Sequence, residues 1–120
     1  MSRRETKVQW DYPYGWAPIQ LLAVEGLRRY GFEEEANRLA SKFVATVAQN
    51  FRQDGTIREK YNVVTRSSET QVVAGYKMNV VGFGWTNGVV LELLHSLPKP
   101  WVDRLAAEVD AVSKKAAAAR

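Results

Sequence analysis

The sequence predicts an all-α fold of about four helices that is interrupted by one long loop. In four separate segments, apolar residues recur at spacings of three and four, the period of a helix with one apolar face. Between the second and third of these segments, residues 62–84 are largely polar, contain glycine and show no such period. A stretch of this length without regular structure commonly binds a ligand, carries catalytic residues or is disordered.

The first helix is predicted from about Trp16 to Tyr30. Pro18 suits its first turn, where the N–H that proline lacks would have no partner within the helix. Gly31 is a favoured residue just after a helix ends. One face of this helix is apolar, and it comprises Ile19, Leu22, Ala23, Gly26, Leu27 and Tyr30.

The second helix is predicted from about Glu33 to Phe51, with an acidic first turn that the helix dipole favours. Because only Gly31 and Phe32 connect it to the first helix, the two helices should be antiparallel neighbours. Its apolar stripe comprises Ala36, Leu39, Ala40, Phe43, Val44 and Val47. A turn is predicted at residues 54–55. Residues 56–61 are then a candidate extended segment, and so are residues 71–74 within the long loop.

The third helix is predicted from about Thr86 to Leu97, with Thr86 or Asn87 as its N-cap. Pro98 and Pro100 are expected to end it. The fourth helix is predicted from about residue 101 to residue 119, and its alanine-rich end, residues 114–120, is expected to fray.

Length, charge and composition exclude several classes of protein. At 120 residues the chain is at most one domain, and its net charge of +4 is concentrated at the two ends rather than along one helix, so no nucleic acid partner is expected. Without cysteine and with His95 as the single histidine, no metal site is expected. No apolar run approaches the roughly 18 residues that span a bilayer, so no membrane partner is expected.

Because the first eight residues are polar and lack the apolar core of a signal peptide, the chain as given is expected in the cytoplasm. A missing signal-bearing N-terminal part would instead fit a periplasmic or secreted protein.

Residues 9–18, the first cluster, combine four aromatic rings with two prolines and the carboxylate of Asp11. Sugars bind where rings such as Trp10 and Trp16 stack on the pyranose face and polar side chains take up its hydroxyl groups. The alternative is a rigid entry to the first helix whose aromatic rings are simply part of the core.

Residues 58–61, the second cluster, place Glu59 between Arg58 and Lys60, directly before the long loop. Neighbouring cations favour the ionised form of a carboxylate, and an ionised carboxylate can act as a general base on water. The alternative is a solvated run of surface charges.

Residues 82–88, the third cluster, place three glycines around Phe83 and Trp85 at the start of a helix. Glycine permits close approach of the backbone, and a helix start presents free N–H groups to a ligand. The alternative is a helix end that packs tightly against a neighbouring element.

Together these clusters resemble the motifs of the trehalases, glycoside hydrolase family 37. The first cluster matches the signature Gln-Trp-Asp-x-Pro-x-Gly-Trp-x-Pro at every fixed position, the second matches Glu-Lys-Tyr, and the third matches Gly-Phe-Gly-Trp-Thr-Asn-Gly. The three occur in the family's order. The similarity covers about residues 9–94, most of the chain.

The resemblance implies inverting hydrolysis of trehalose to glucose on an (α/α)6 barrel, without a cofactor. It implies that Glu59 is the general base, because the Glu of the family's Glu-Lys-Tyr motif has that role. It also implies that a group of first- and third-cluster residues lies in or near the sugar cleft: Trp10, Asp11, Trp16, Phe83 and Trp85. The disaccharide trehalose is therefore the expected partner.

The chain departs from the family pattern in two places. Tyr76 aligns with the tyrosine of the family's Gly-Glu-Tyr loop, which places Gly75 where the substrate-binding glutamate should be. Glu69 lies seven residues before Tyr76, a spacing that does not make it equivalent. A related disaccharide would therefore also fit as the substrate.

The second departure is that the family's other signature and its general acid, which lie upstream of the first motif, are not found in this sequence. The chain is therefore interpreted as a C-terminal fragment of the catalytic domain, residues 1–120. Within it, residues 9–97 bear the motifs, and residues 98–120 form the last helix and tail. The isolated chain is expected to be inactive. It is also expected to self-associate or to pair with the missing N-terminal part of the barrel. The alternative is an inactive relative that retains weak sugar binding.

Overall fold

A computed structural model describes residues 8–70 and 78–119. The described residues form four helices and one two-stranded sheet, which agrees with the predicted all-α class. In chain order the elements are β1 (Tyr14–Trp16), α1 (Ala17–Arg29), α2 (Glu33–Asp54), β2 (Lys60–Asn62), α3 (Gly84–Ser96) and α4 (Lys99–Ala118).

The connection between α1 and α2 follows the sequence prediction. Gly31 has a φ of 81°, a left-handed conformation that glycine adopts without steric cost. Its N–H donates to Arg28 O at 3.0 Å, and the Phe32 N–H donates to Leu27 O at 2.9 Å, which together satisfy two carbonyl groups at the helix end. Since the connection is this short, α2 turns back along α1 as expected.

The core lies around α2, which packs against α1, α3 and α4. Its predicted apolar stripe faces this core, because all of its residues except the partly buried Leu39 are buried. The other helices contribute buried side chains from one face each: Ala17 and Val24 from α1, Val89 and Leu93 from α3, and Leu105 and Val109 from α4.

The apolar face predicted for α1 is largely exposed. Leu22 is 69% exposed and Ile19 is 51% exposed. The helix instead contacts the core mainly through a neighbouring face, on which Ala17 and Val24 are fully buried and Leu21 is partly buried. An amphipathic helix that exposes its apolar stripe has a surface suited to packing against a further element.

Two predicted helix starts are wrong. Helix α3 begins at Gly84 with Phe83 as its N-cap, rather than with Thr86 or Asn87 as the N-cap. Thr86 is already inside the first turn, where its N–H donates to Phe83 O at 3.2 Å. Helix α4 begins at Lys99, so Pro100 lies in its first turn instead of ending α3. Proline is tolerated there because the first N–H groups of a helix have no intrahelical partner.

The candidate extended segment at residues 56–61 is only partly a strand, since β2 begins at Lys60 and continues to Asn62. Residues 63–66 then form a turn, Ser67 forms an isolated bridge with Asn62, and no helix occurs in residues 63–70, as the absence of helical period predicted. Asn50 of α2 holds these residues, because its side chain donates to Arg66 O at 2.8 Å and accepts the Ser68 N–H at 2.9 Å. The second candidate extended segment, residues 71–74, lies outside the described residues.

None of the helices in the described part of the chain combines the length and the apolar character needed to cross a bilayer.

Candidate active site

The short sheet brings the first and second clusters together. In its antiparallel register, Trp16 of β1 lies opposite Lys60 of β2, and Gly15 lies opposite Tyr61. Gly15 permits this close pairing, because a Cβ at that position would overlap Cγ1 of Val63 and lie 3.3 Å from Gln20 Nε2. The glycine of the first motif therefore has a packing role that the helical period did not indicate.

The third cluster reaches the same place through the residues just before it. The Glu59 N–H donates to Val80 O at 2.9 Å, and Arg58 forms an isolated antiparallel bridge with Val81. The second cluster is thus paired with β1 through Lys60 and Tyr61, and with residues 80–81 through Arg58 and Glu59. The three clusters therefore meet at this segment.

Glu59 is buried, with 4% of its surface exposed, rather than part of a solvated run of charges. Its Oε2 accepts a hydrogen bond from Lys60 Nζ at 2.7 Å, within an ion pair whose lysine side chain is fully buried. No described residue donates a hydrogen bond to Oε1, so this oxygen can accept a proton from a small molecule.

The expectation that two cations flank Glu59 is only half correct. Arg58 turns away from the carboxylate, and its guanidinium donates to Asp54 Oδ2 at 3.2 Å and to Asn79 O at 3.1 Å. Hydrogen bonds from the Thr56 hydroxyl and N–H, together with Arg58, hold the pKa of Asp54 below its ordinary value. Arg58 thus belongs to the turn after α2, and Lys60 alone of the two contacts Glu59.

Tyr61 anchors this turn from the core. Its hydroxyl accepts the Arg58 N–H at 2.9 Å, and its ring meets Phe43 of α2 edge-on with ring centroids 6.2 Å apart. Burial raises the pKa of the Tyr61 phenol. The tyrosine of the second cluster therefore connects the segment that carries Glu59 to the central helix.

The predicted aromatic residues form one continuous group. The Trp10 and Trp16 rings stack with centroids 3.7 Å apart, and the Trp16 ring meets the Trp85 ring edge-on at 5.8 Å. Phe83 lies against Trp85 with centroids 4.6 Å apart. Lys60 Nζ lies 5.0 Å from the centroid of the Trp16 ring, which joins this group to the Glu59 ion pair.

The rings differ in what they present to a ligand. Trp16 is 3% exposed and donates its indole N–H to Gln9 O at 2.7 Å, so it supports the site from within. Trp10 is 52% exposed and Trp85 is 37% exposed, which leaves ring surface available for stacking. Asp11 is exposed and sits in the turn before β1, where its carbonyl accepts the Tyr14 N–H at 2.9 Å.

Sequence reasoning missed Asn79. Its side-chain oxygen accepts the Lys60 N–H at 3.1 Å, and its amide group donates to Lys60 O at 2.8 Å and to Ser68 O at 2.6 Å. Asn79 matches none of the three clusters, and its partners lie 19 and 11 residues away in sequence. No local signal would have identified it.

The stretch with Gly75 and Tyr76, which departs from the family loop, lies outside the described residues. Among residues 8–70 and 78–119, no three His, Asp or Glu side chains are grouped so that they could hold a metal ion.

Comparisons with known proteins agree with the motifs. The family model described as Trehalase matches residues 1–98 of this chain. The periplasmic trehalase of Xanthomonas axonopodis pv. citri is 42% identical over 120 residues, which cover 97% of this chain and 20% of that protein. The cytosolic neutral trehalase of Neurospora crassa is 46% identical over 88 residues, which cover 66% of this chain and 12% of that protein.

A solved structure shows the same relationship. Neutral trehalase Nth1 from Saccharomyces cerevisiae superimposes with a TM-score of 0.63 and 36% sequence identity, over 82% of this chain and 16% of that chain. This chain therefore spans a fifth or less of the length of these relatives. The relatives include proteins named for the periplasm and for the cytosol, so both compartments are represented among them.

Proposed function

Because this chain belongs to the trehalase family, we propose that it carries the water-activating side of a glycosidase site that hydrolyses trehalose, with Glu59 as the general base. Its four helices are part of the (α/α)6 barrel of that family. The observation that supports the proposal most directly is the position of Glu59: buried, ion-paired through Oε2, and joined through Lys60 to the ring group of Trp10, Trp16 and Trp85.

The proposed reaction is a single displacement with inversion. Glu59 Oε1 takes a proton from water while the water oxygen forms a bond to the anomeric carbon of one glucose unit. The bond from that carbon to the bridging oxygen breaks, and a carboxylic acid on the opposite face protonates the bridging oxygen. In inverting enzymes the two carboxyl groups are roughly 6.5–9.5 Å apart, which leaves room for the water.

The aromatic residues would bind the sugar. The exposed rings of Trp10 and Trp85 offer apolar faces to a pyranose, and Phe83 supports Trp85. Trp16 lies behind Trp10 and holds it by stacking. Asp11, exposed in the same cluster, would accept hydrogen bonds from sugar hydroxyl groups.

The remaining part of the site would come from other sections of a whole trehalase. We assign residues 1–120 to the C-terminal part of the catalytic domain, with the motifs in residues 9–97 and the last helix and tail in residues 98–120. The general acid would lie in the part that precedes this segment in a whole enzyme. The 120-residue chain by itself should therefore release no glucose from trehalose.

A chimera tests the proposal. This chain replaces the matching segment of the Xanthomonas axonopodis pv. citri trehalase, and glucose release from trehalose is measured together with the anomers formed, by proton NMR. We expect turnover with one α- and one β-glucose per trehalose. The Glu59→Gln chimera should lose about 100- to 10,000-fold in kcat while KM changes little. Glu34→Gln, an exposed carboxylate in the first turn of α2, is the matched control and should retain turnover.

Each other outcome would contradict one part of the proposed function: the activity, the substrate or the base. A folded chimera that binds trehalose without turnover would support the alternative of an inactive relative with residual sugar binding. A chimera that is inactive on trehalose but hydrolyses a related disaccharide would move the substrate assignment and keep the base. If Glu59→Gln retained full turnover, Glu59 would not be the base.

A further inference from the structure

The side chain of Lys60 is buried and contacts both Glu59 and the ring of Trp16. Its side chain is fully buried, its Nζ lies 2.7 Å from Glu59 Oε2, and the same Nζ lies 5.0 Å from the centroid of the Trp16 ring. A buried ammonium is costly unless it is paired and hydrogen-bonded. The two contacts satisfy that need and, at the same time, connect the carboxylate to the wall of aromatic rings.

The backbone of Lys60 is also held from both sides. Across the sheet it lies opposite Trp16, and from the other side the amide of Asn79 hydrogen-bonds both its N–H and its carbonyl. Trp16 is held in turn by its hydrogen bond to Gln9 O and by stacking with Trp10. Further contacts therefore fix both the backbone of Lys60 and the ring of Trp16 that its ammonium approaches.

We propose that Lys60 is a positioning residue for the general base: it holds Glu59 by Oε2, orients Oε1 toward the water, and couples the carboxylate to the ring of Trp16. This inference rests on the proposed function, because it concerns the same carboxylate. Because the ammonium binds only Oε2, Oε1 stays available to accept the proton.

The other charged and titratable groups near Glu59 are engaged elsewhere. The Arg58 guanidinium donates to Asp54 and to Asn79 O, and the Tyr61 hydroxyl accepts the Arg58 N–H. The segment that packs on the opposite side of Glu59 contributes Val80 and Val81, which do not titrate. Within the described part of the chain, Lys60 is thus the cation that contacts the base.

The test compares Lys60→Met and Lys60→Arg in the chimera described above, with kcat and KM measured separately. Lys60→Met should lower kcat about 10- to 100-fold, because the carboxylate loses its orientation, with little change in KM. Lys60→Arg keeps a cation that can hold Glu59 Oε2, so it should recover part of the kcat that Lys60→Met loses. Lys99→Met, at an exposed lysine of α4, is the control and should match the unsubstituted chimera.

A separate measurement tests the geometry in the chain itself. In the unsubstituted 120-residue chain, the ε-methylene protons of Lys60 should show an upfield ring-current shift and nuclear Overhauser contacts to the Trp16 ring. The absence of both would overturn the proposal without any activity assay.

The failure of this inference differs from the failure of the proposed function. If Lys60→Met left kcat unchanged while Glu59→Gln abolished turnover, Glu59 would remain the proposed base and the proposed role of Lys60 would be wrong. If Glu59→Gln retained turnover, or if a folded unsubstituted chimera hydrolysed no disaccharide, the proposed function itself would fall.

Discussion

The side-chain amide of Asn79 pairs with the backbone of Lys60 as a neighbouring strand would, since it accepts the Lys60 N–H at 3.1 Å and donates to Lys60 O at 2.8 Å. Its amide group also donates to Ser68 O at 2.6 Å. One side chain thus joins three parts of the site: the residue after Glu59, the turns that follow β2, and the segment that leads to the third cluster. The placement of the candidate base depends on a residue outside all three motifs.

Replacing Asn79 by alanine should therefore destabilise the chain. Partly buried backbone groups of Lys60 and Ser68 lose their partners, at a cost of about 1–3 kcal/mol in the free energy of unfolding. Urea denaturation followed by tryptophan fluorescence measures this loss. Asn87→Ala, at an exposed position of α3, is the matched control and should change the free energy by less than about 0.5 kcal/mol. Equal effects from the two substitutions would show that the hydrogen bonds of Asn79 contribute nothing measurable.

The Glu59–Lys60 pair should show strong coupling in a double-mutant cycle. Lys60→Met alone leaves a buried carboxylate without a counter-charge and should cost about 3–5 kcal/mol in the free energy of unfolding. Adding Glu59→Gln removes that charge, so the double variant should be more stable than Lys60→Met alone. The free energies come from urea denaturation of the four proteins. Additive effects would mean that the two side chains do not interact in solution.

Tyr61 should make stability depend on alkaline pH. Burial raises the pKa of this phenol above its ordinary value of 10.0, so the folded chain keeps the proton after the unfolded chain has lost it. The free energy of unfolding should therefore hold its full value below pH 10 and fall as the pH rises further. Tyr61→Phe should remove this alkaline component.

The same substitution also leaves the Arg58 N–H without its acceptor, which should cost about 1–3 kcal/mol at pH 7. Denaturation at pH 7 and above pH 10 separates the two effects. The exposed Tyr30, replaced by phenylalanine, serves as the control. An alkaline slope that survives in Tyr61→Phe would assign that slope to other groups.

Gly15→Ala should disrupt the pairing of β1 and β2. The added methyl group would overlap Cγ1 of Val63, a short side chain with little freedom to move, and overpacking of this kind costs about 1–3 kcal/mol. Gly15→Ala combined with Val63→Ala should recover most of that loss. In contrast, Gly88→Ala on α3 meets no atom within 4 Å and should stabilise the helix by about 0.5–1 kcal/mol. Thermal denaturation of the three variants provides the measurement, and a Gly15→Ala chain as stable as the original would contradict the packing argument.

The isolated chain should associate with a second copy through the exposed apolar surface of its helices. Leu22 of α1 is 69% exposed and Leu91 of α3 is 71% exposed, and α1 and α3 contact each other. Sedimentation velocity should show mass above that of the monomer, increasing with protein concentration. The double variant Leu22→Glu and Leu91→Glu should sediment as a monomer. A monomeric original chain at high concentration would contradict the prediction.

The helices were predictable because their signals are local. The period of α2 and the stop at Gly31 each depend on residues within a few positions of one another, and the structure confirms both. The start of α3 was not predictable in the same way, since Thr86 is a residue type preferred at an N-cap but lies within the first turn of the helix. A capping preference of about 1 kcal/mol does not outweigh the packing that buries Thr86.

By itself, the sequence determined the helical class, the three clusters and the choice of Glu59 as the candidate base. Only the tertiary structure decided that Lys60 rather than Arg58 neutralises this carboxylate, that Trp16 supports the site from within, and that Asn79 holds the segment in place. The physical reason is that the charge and ring of a residue are properties of its side chain. Its partners depend on strand register and on contacts between residues far apart along the chain.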